Sequence, residues 1–306
     1  MHRFFTLDVF TDTPLAGNPL AVVLDADDLD KAAMQAIARE FNLSETVFLL
    51  KAAQANHNAR ARIFTPVREL PFAGHPTVGA AVLLANLKIN DGGDGEQSEH
   101  DAMVVIEQEI GLVRAGVRLR PGAAPFAVFD APKLPEEAGT VPSAEDLAHG
   151  IGLMPSDVGF DNHKPMRASA GVAYVFLPVK NREALARCQS NRIFWDSIFG
   201  DDDHGAVYVY CRDTEDEAHA FRARMFSPGL GLDEDPATGS AAAAFACIVA
   251  RFEPLGDGTH TLIIEQGYEM GRPSQIMLEV ELAGGKLISA RIGGHAVIVQ
   301  EGTIEL

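Results

Sequence analysis

The sequence predicts an α+β protein with two pseudo-symmetric domains, each a rolled, mostly antiparallel sheet around one central buried helix. Three observations predict this class. Blocks of sequence recur in the same order in both halves, short segments rich in β-branched and aromatic residues indicate strands, and each half has one helix-like segment without a polar face. A chain of 306 residues is also long enough to bury two cores of ordinary domain size.

Three blocks of the first half have counterparts in the second half. The pairs are RIFTP (62–66) with RMFSP (224–228), HPTVGAA (75–81) with DPATGSA (235–241), and IEQ (106–108) with IEQ (264–266). The offsets are 162, 160 and 158 residues, so the order is kept and the spacing is nearly kept. We infer an internal duplication, because three matches in one order are hard to obtain by chance.

The segment between the halves indicates where one domain gives way to the other. Residues 121–150 are rich in proline, alanine and acidic residues and have weak periodicity, which is typical of a crossing between domains. We therefore expect a first domain over residues 1–125, with 296–306 as a candidate final strand, and a second domain over residues 126–295.

Periodicity predicts the individual elements. The segments that predict strands are FTLDVF, TVFLL, MVVIEQ, VAYVFLPV, AVYVY, TLIIEQ and QIMLEVEL. An apolar stripe along residues 29–41 predicts an amphipathic helix, with Asp28 as its N-cap and Asn42 as its stop. The polar insert at 91–101 is expected to be a solvated loop.

Residues 76–87 and 236–250 are apolar or small on every side, which predicts two helices that are buried all round. Each begins with proline, whose missing N–H is tolerated there, so the preceding residue is the expected N-cap. In the second half that residue is Asp235, a favoured N-cap that needs no catalytic role to explain it. In the first half it is His75, which is not a favoured cap and is either a structural or a functional histidine.

Small residues follow both predicted helix starts. Gly79 and Gly239 hold equivalent positions, beside Ala80 and Ser240, and would let a ligand approach the backbone N–H groups. A helix start favours an anion through its free N–H groups and its dipole. The alternative is that small residues only let a helix fit inside a tight roll, and both can be true. If the halves are related by a pseudo-twofold axis, both starts can converge on one cleft between the domains.

One polar segment stands out before an apolar strand. Ser44 and Glu45 separate the end of the amphipathic helix from the segment TVFLL. A glutamate at the entry of a strand is usually a surface residue. Partly desolvated beside an apolar strand, it would instead suit proton transfer.

Charge and hydropathy exclude two classes of partner. Acidic residues outnumber basic ones by 43 to 25, and the formal charge of −18 opposes binding to nucleic acid or to anionic membranes. No run of 18 apolar residues exists, and Asp8 and Asp12 interrupt the N-terminal apolar stretch where a signal peptide needs continuity. We therefore expect a cytoplasmic protein.

Neither the cysteines nor the acidic runs indicate a metal site. The three cysteines have no C-x-x-C spacing, which favours reduced thiols over a disulfide framework or a structural zinc site. The acidic run at 201–204 is more typical of a solvated turn than of metal ligands. We therefore expect no bound metal ion.

Motifs along nearly the whole chain carry a resemblance to a known family. They are DVFTDTPLAGNPLAVV (8–23), NLSETVF (42–48), RIFTPVRELPFAGHPTVGAA (62–81), RMFSPGLGLDEDPATGSAAA (224–243), QGYEMGRPSQI (266–276) and GGHAVIV (293–299). Together they resemble the PhzF-type phenazine biosynthesis-like proteins, which have the diaminopimelate epimerase-like fold. The resemblance implies two similar domains, each a rolled sheet around a helix, with the active site in the cleft between them.

The resemblance also implies site residues. Glu45 would be the proton-transfer residue, and His75 and Asp235 would be the other catalytic residues. The groups implied to bind substrate, with backbone N–H groups of the glycines facing a carboxylate, are Gly74, Gly239 and Ser240. The best understood member of the family isomerises dihydro-3-hydroxyanthranilate by moving a proton between carbons, without a metal or organic cofactor. Proteins of this family are commonly homodimers.

The repeated loops argue against one related chemistry. The diaminopimelate epimerase relatives use a cysteine on each side of the reacting carbon, and neither 73–75 nor 238–240 contains one. The sequence therefore predicts a cofactor-independent isomerase that acts on a small carboxylated metabolite, with Glu45 as acid and base. The alternatives are a non-catalytic, small-molecule-binding member of the fold and a different proton abstraction, such as racemisation.

Overall fold

A computed structural model describes residues 1–92, 99–199, 205–228 and 232–305. The chain divides into two compact units, Met1–Pro132 with Ile292–Leu306 and Lys133–Arg291. In the described part of the chain, no helix has both the length and the apolar character needed to cross a membrane.

The N-terminal elements belong to the first unit. In chain order they are β1 (His2–Val9), β2 (Asn18–Val23), α1 (Lys31–Phe41), β3 (Glu45–Leu50), β4 (Ala59–Phe64), β5 (Glu69–Leu70), α2 (Gly74–Gly92), β6 (His100–Gln108), β7 (Gly111–Leu119) and β8 (Phe126–Asp130).

The later elements belong to the second unit, except that the last strand runs on into the first. They are β9 (Glu136–Glu137), α3 (Ala144–Gly150), a 3₁₀ turn (Pro155–Asp157), β10 (Met166–Ser169), β11 (Ala173–Pro178), α4 (Arg182–Arg187), α5 (Arg192–Phe199), β12 (Val207–Cys211), β13 (Phe221–Ser227), β14 (Leu232–Asp235), α6 (Gly239–Phe252), β15 (Gly258–Gln266), β16 (Ser274–Ala283) and β17 (Lys286–Ile304). Each segment predicted as a strand overlaps one of these strands and extends beyond it by at most one residue at either end, so those predictions are confirmed.

Strands of the first unit close into a barrel around α2. Hydrogen-bonded neighbours run in the order β1, β2, β3, β4, β6, β7, β8 and β17, and β17 pairs with β1 again. The helix packs against β1, β2, β3, β6, β7 and β8. Its residues 74–83 are all buried, which confirms the predicted helix without a polar face.

The amphipathic helix α1 covers the outside of this barrel. Met34, Ile37 and Ala38 are buried in one cluster with Phe48 and Phe64. The predicted helix is thus confirmed, and its apolar stripe is what holds it to the sheet.

The ends of α1 test two predicted caps. The N-cap is Asp30, whose Oδ1 accepts a hydrogen bond from the backbone N–H of Ala33 at 2.8 Å. The prediction of Asp28 is wrong because the helix begins at Lys31 and not at residue 29. Asn42 ends the helix as predicted, in the left-handed conformation with a φ of 50°.

In the second unit the sheet wraps α6. Paired strands run in the order β9, β10, β11, β12, β13, β15 and β16, and β14 adds to β13. Tyr208 and Tyr210 of β12 face Phe245 of α6, with ring centroids 5.9 and 4.8 Å away. Val207 and Val209 face the other way and join the cluster formed with α3, α4 and α5. The α+β class with one buried helix in each unit is therefore confirmed.

The two units share strand registers. Ala59 of β4 pairs in parallel with Ile106 of β6, and Phe221 of β13 pairs in parallel with Ile264 of β15. These two residue pairs are related by the repeat offsets of 162 and 158. The correspondence is what an internal duplication predicts.

The same loop contact recurs beside both registers. Glu107 Oε1 lies 2.6 Å from His57 Nδ1, and Glu265 Oε1 lies 2.8 Å from His219 Nδ1. Each carboxylate also accepts two hydrogen bonds from backbone N–H groups of the loop that carries the histidine. The glutamate of each IEQ block therefore fixes a loop in its own unit.

Both predicted helix starts are placed differently in the structure. The helix α2 begins at Gly74, so His75 is its second residue and not its N-cap. The helix α6 begins at Gly239, with Thr238 as the cap residue. Asp235 is therefore not an N-cap but the last residue of β14, where its backbone pairs with Met225. Pairing with β13 keeps the chain extended at Asp235, and the proline that follows in the sequence gives no sign of this pairing.

Two predicted loops fall partly or wholly outside the described residues. The insert at 91–101 is not all loop, because α2 continues to Gly92 and β6 begins at His100. Residues 93–98 of that insert, and the whole acidic run at 201–204, lie outside the described residues.

Candidate active site

Glu45 opens β3 on the face that looks towards α2. Phe48 and Leu50 of the same strand belong to the cluster beneath α1. Because side chains alternate along a strand, Glu45 and Val47 point the other way. The Glu45 side chain is 12% exposed, so it is sheltered rather than a surface residue.

His75 lies beside Glu45. Its Nδ1 is 3.4 Å from Oε2 of Glu45 and 3.2 Å from Nδ2 of Asn18. Asn18 opens β2, and β2 is the parallel neighbour of β3. Two adjacent strand starts and one helix start thus bring three polar side chains together. Asn18 is buried and was not among the residues predicted from the sequence.

Burial keeps the His75 ring neutral. The side chain is 3% exposed, and this desolvation lowers the pKa of His75 to about 3. When Nδ1 accepts a hydrogen bond from the Asn18 amide, the proton of the neutral ring is on Nε2. That Nε2 is buried and has no hydrogen-bond partner among the described residues. In this tautomer the ring has one N–H donor available for a substrate.

A hydrogen-bond chain holds the start of α2. Thr77 Oγ1 donates to the carbonyl oxygen of Ala73 at 2.8 Å. Gln108 Nε2, at the end of β6, donates to Thr77 Oγ1 at 2.9 Å. The glutamine of the first IEQ block therefore secures the turn that carries His75.

The glutamine of the second IEQ block does the same for Asp235. Gln266 Nε2 donates to the Asp235 carbonyl oxygen at 2.8 Å and to Thr238 Oγ1 at 3.0 Å. Its Oε1 accepts from the Thr238 backbone N–H at 3.1 Å. Thr238 Oγ1 in turn donates to Asp235 Oδ2 at 2.6 Å. The Asp235 carboxylate is buried and held on the turn that leads into α6.

Two tyrosines accompany this turn. The hydroxyl of Tyr174 lies 2.7 Å from Oγ of Ser240, which is in the first turn of α6. Tyr208 is fully buried, and its pKa is raised by that burial and by the nearby Asp235 carboxylate. Its hydroxyl has no hydrogen-bond partner among the described residues. Neither tyrosine was predicted, because each sits in a strand that looks like ordinary core.

Gly79 is a packing glycine. A Cβ there would lie 2.5 Å from Leu20 Cδ2 and 3.0 Å from Val9 Cγ2. The structure therefore favours the alternative that small residues let α2 fit inside its barrel. Gly74 and Gly239 are the first residues of α2 and α6, so their backbone N–H groups belong to those helix starts.

The second unit has no counterpart of Glu45. Phe64 of β4 and Phe226 of β13 hold equivalent positions in the repeat. Phe64 pairs with Thr46 of β3, and Phe226 pairs with Val207 of β12, so Thr46 and Val207 are also equivalent. The residue before Val207, which takes the place of Glu45, is Ala206. Of these two equivalent positions, the one in the first unit carries a carboxylate and the one in the second unit does not.

The cysteines lie away from both helix starts. Cys188 and Cys211 belong to the cluster with α3, α4 and α5, and burial raises the pKa of each thiol to about 12. Cys247 lies further along α6. Within the described ranges, no three or more His, Cys, Asp or Glu side chains are grouped so that they could hold a metal ion.

The predicted site residues therefore fall into two groups. Glu45, His75 and Gly74 come together in the first unit. Asp235, Gly239 and Ser240 lie on the turn and first residues of α6 in the second unit. Their roles stay predictions.

Comparison with known proteins covers the whole chain. The family model of phenazine biosynthesis-like proteins matches residues 7–302. An uncharacterized isomerase of Mesorhizobium japonicum is 50% identical over 306 residues, which is 99% of this chain and 98% of the relative. The trans-2,3-dihydro-3-hydroxyanthranilate isomerase of Pseudomonas aeruginosa is 34% identical over 303 residues, covering 99% of each chain.

A solved structure gives the same answer for the fold. The crystal structure of a PhzF-family phenazine biosynthesis protein of Bacillus anthracis superimposes with a TM-score of 0.86 at 30% identity, over 100% of this chain and 99% of that one. Sequence and fold agree along their full length, and the named relatives are isomerases. The chain therefore belongs to the family of phenazine biosynthesis-like proteins, as an enzyme of the PhzF isomerase type.

Proposed function

We propose that this chain moves a proton between two carbons of a small carboxylated substrate, with Glu45 as the group that carries it. The observation behind the proposal is the pair formed by Glu45 and His75, in which Oε2 and Nδ1 are 3.4 Å apart and both side chains are sheltered. A sheltered carboxylate beside a polar ring is suited to accept a proton from a carbon of the substrate.

His75 assists as a neutral group. With a pKa of about 3, its ring is uncharged at neutral pH and does not act as a cationic acid. Its contacts with Asn18 and Glu45 fix the ring orientation. The remaining Nε2–H can donate a hydrogen bond to charge that develops on the substrate.

The proton balance needs a single carrier. Glu45 takes the proton as one C–H bond breaks, and the electron pair moves into the adjacent unsaturated system of the substrate. The Glu45 carboxylic acid exchanges its proton with solvent and then delivers a proton to a different carbon, so nothing is oxidised and the number of protons on the substrate is unchanged. Since Ala206 stands in the corresponding place of the second unit, that place offers no second base for epimerisation.

The other predicted residues would hold the substrate. The proposed roles are hydrogen bonding by Asp235 and Ser240 and binding of a substrate carboxylate by backbone N–H groups of Gly74 and Gly239. A site in the cleft between the two domains stays a prediction of the sequence. So do a homodimeric state and residence in the cytoplasm. Sedimentation equilibrium at several protein concentrations tests the homodimer.

The trial substrate is trans-2,3-dihydro-3-hydroxyanthranilate, on which the Pseudomonas aeruginosa relative acts. The test is incubation in D₂O followed by proton NMR and mass spectrometry. We expect an isomerised product that carries solvent deuterium at one carbon. Binding without exchange across a panel of carboxylated metabolites would favour a non-catalytic binding protein. Exchange with inverted configuration would identify a racemase.

A further inference from the structure

An arginine forms the same two-pronged contact with a glutamate in each unit, and we call this contact a fork. Nε and Nη2 of Arg224, on β13, donate to the two carboxylate oxygens of Glu234, both at 2.8 Å. Nε and Nη2 of Arg62, on β4, donate to those of Glu69 at 2.6 and 2.9 Å. The arginines are separated by the repeat offset of 162 residues. The first fork joins β4 to β5, the short strand before α2. The second joins β13 to β14, the short strand before α6.

The fork of the second unit is anchored at a helix end. Nη1 of Arg224 donates to three carbonyl oxygens at the C-terminal end of α4: Leu185 at 2.9 Å, Ala186 at 3.2 Å and Cys188 at 2.9 Å. The Arg224 side chain is 8% exposed and that of Glu234 is 15% exposed. Burial opposes the charge of Arg224, yet its hydrogen bonds with Glu234 raise its pKa above the ordinary value. The cation is therefore locked between α4 and β14.

Glu234 is joined directly to Asp235. They are the last two residues of β14, and successive side chains of a strand point to opposite faces. Glu234 meets Arg224 on one face, while Asp235 accepts a hydrogen bond from Thr238 Oγ1 at 2.6 Å. Because both carboxylate oxygens of Glu234 are held by Arg224, the backbone at Glu234 and at the adjacent Asp235 has little freedom to move.

We infer that Arg224 is a positioning residue, which acts through Glu234 to fix the Asp235 carboxylate for the substrate. The inference rests on the proposed role of Asp235 in the site. Among the residues that the structure describes, Arg224 contacts none of the groups proposed to bind substrate. Lysine cannot replace it, because an ammonium is a point donor and cannot hold two carboxylate oxygens and the α4 carbonyls together.

The fork of the first unit provides an internal comparison. Glu69 precedes His75 by six residues, whereas Glu234 is adjacent to Asp235. Glu69 is also held by Nζ of Lys31 at 2.9 Å, so it keeps one cationic partner when Arg62 is replaced. We therefore expect Arg62→Lys to disturb its site residue less than Arg224→Lys does.

The test compares Arg224→Lys and Glu234→Gln with Asp235→Asn and with the double variant Glu234→Gln/Asp235→Asn. The matched control is Arg3→Gln, which breaks an exposed arginine–glutamate pair with a 2.6 Å contact. Circular dichroism checks folding. Two readouts follow: the kcat and KM of the deuterium-incorporating reaction, and hydrogen–deuterium exchange of the Thr238 amide, which donates to Gln266 Oε1.

Positioning predicts that kcat falls by about tenfold to a hundredfold in Arg224→Lys and in Glu234→Gln, since small misplacements carry such costs. Glu234→Gln should then cost nothing further in the Asp235→Asn background, whereas general destabilisation would add to it. Thr238 exchange should be faster in both single variants, and Arg3→Gln should match the wild type in both readouts.

Folded single variants with wild-type kcat and wild-type Thr238 exchange would overturn the inference. Additive losses in the double variant would also overturn it. A wild-type protein that shows no deuterium incorporation contradicts the proposed function instead. The Thr238 exchange of Arg224→Lys and Glu234→Gln still decides whether the fork fixes the Asp235 turn.

Discussion

The Glu45 carboxyl faces a histidine that stays neutral across the physiological range, with Oε2 3.4 Å from Nδ1 of His75. Burial lowers the pKa of that ring to about 3, and Asn18 holds the nitrogen that faces the glutamate. The proposed function therefore gives the two members of the pair different tasks. In that proposal His75 donates a hydrogen bond to the substrate, and Glu45 moves the proton.

A neutral His75 makes folding depend on pH. In the unfolded chain its pKa returns to the ordinary 6.5, so between about pH 3 and pH 6.5 the unfolded state binds the extra proton. The free energy of unfolding is therefore not reduced by His75 above pH 6.5. Between pH 6.5 and pH 3 it falls by about 1.4 kcal/mol for each pH unit, because the unfolded state takes up the proton. Urea unfolding of wild type and His75→Gln from pH 4.5 to 7.5 should show this slope in the difference between them.

The matched control for this prediction is the exposed His149. His149→Gln should keep the wild-type slope. An NMR titration in which the His75 ring protonates with a midpoint near 6.5 would contradict the neutral assignment.

The two repeated glutamines should differ in their contribution to stability. Gln266→Leu takes a partner from the buried Thr238 N–H, the Asp235 carbonyl and Thr238 Oγ1. We expect it to lower the free energy of unfolding by about 2–5 kcal/mol, while Gln108→Leu, which removes the bond to Thr77, costs about 1–2 kcal/mol. Urea denaturation measures both, and equal effects would contradict the unequal bonding.

Gly79 should tolerate no side chain. The Cβ of Gly79→Ala would lie 2.5 Å from Leu20 Cδ2, so the variant should lose about 1–3 kcal/mol of stability. Leu20→Ala in the same chain should recover part of the loss caused by the added methyl group, because it removes the clashing atom. Thermal unfolding gives the comparison. A stable Gly79→Ala that binds carboxylates poorly would instead point to a ligand-binding role for this glycine.

Much of the fold was predictable because buried helices and strands have strong patterns. The two segments without a polar face became α2 and α6, and the recurrence of RIFTP as RMFSP marked equivalent strands, β4 and β13. The helix starts were misplaced because a proline marks a helix start only where the preceding chain is free to turn. At Asp235 it is not free, since β14 pairs with β13 through Met225.

The supporting residues of the site could not be predicted in the same way. Asn18 and Tyr174 each sit in a strand, and nothing local to them shows which side chain they will meet across the barrel or sheet. Gln108 and Gln266 did carry a signal, since they belong to the repeated IEQ blocks. Because the same glutamine ends two equivalent strands, the repeat alone could have indicated that its side chain forms hydrogen bonds at both helix starts.

The most direct test of the account is the role of Glu45 as proton carrier. Wild type, Glu45→Gln and the exposed control Glu40→Gln would be incubated in D₂O with trans-2,3-dihydro-3-hydroxyanthranilate, and deuterium in the product would be followed by mass spectrometry. The account predicts solvent deuterium at one carbon with wild type and Glu40→Gln, and a rate lower by about 10²–10⁴-fold with folded Glu45→Gln. Deuterium incorporation at the wild-type rate by Glu45→Gln would contradict it.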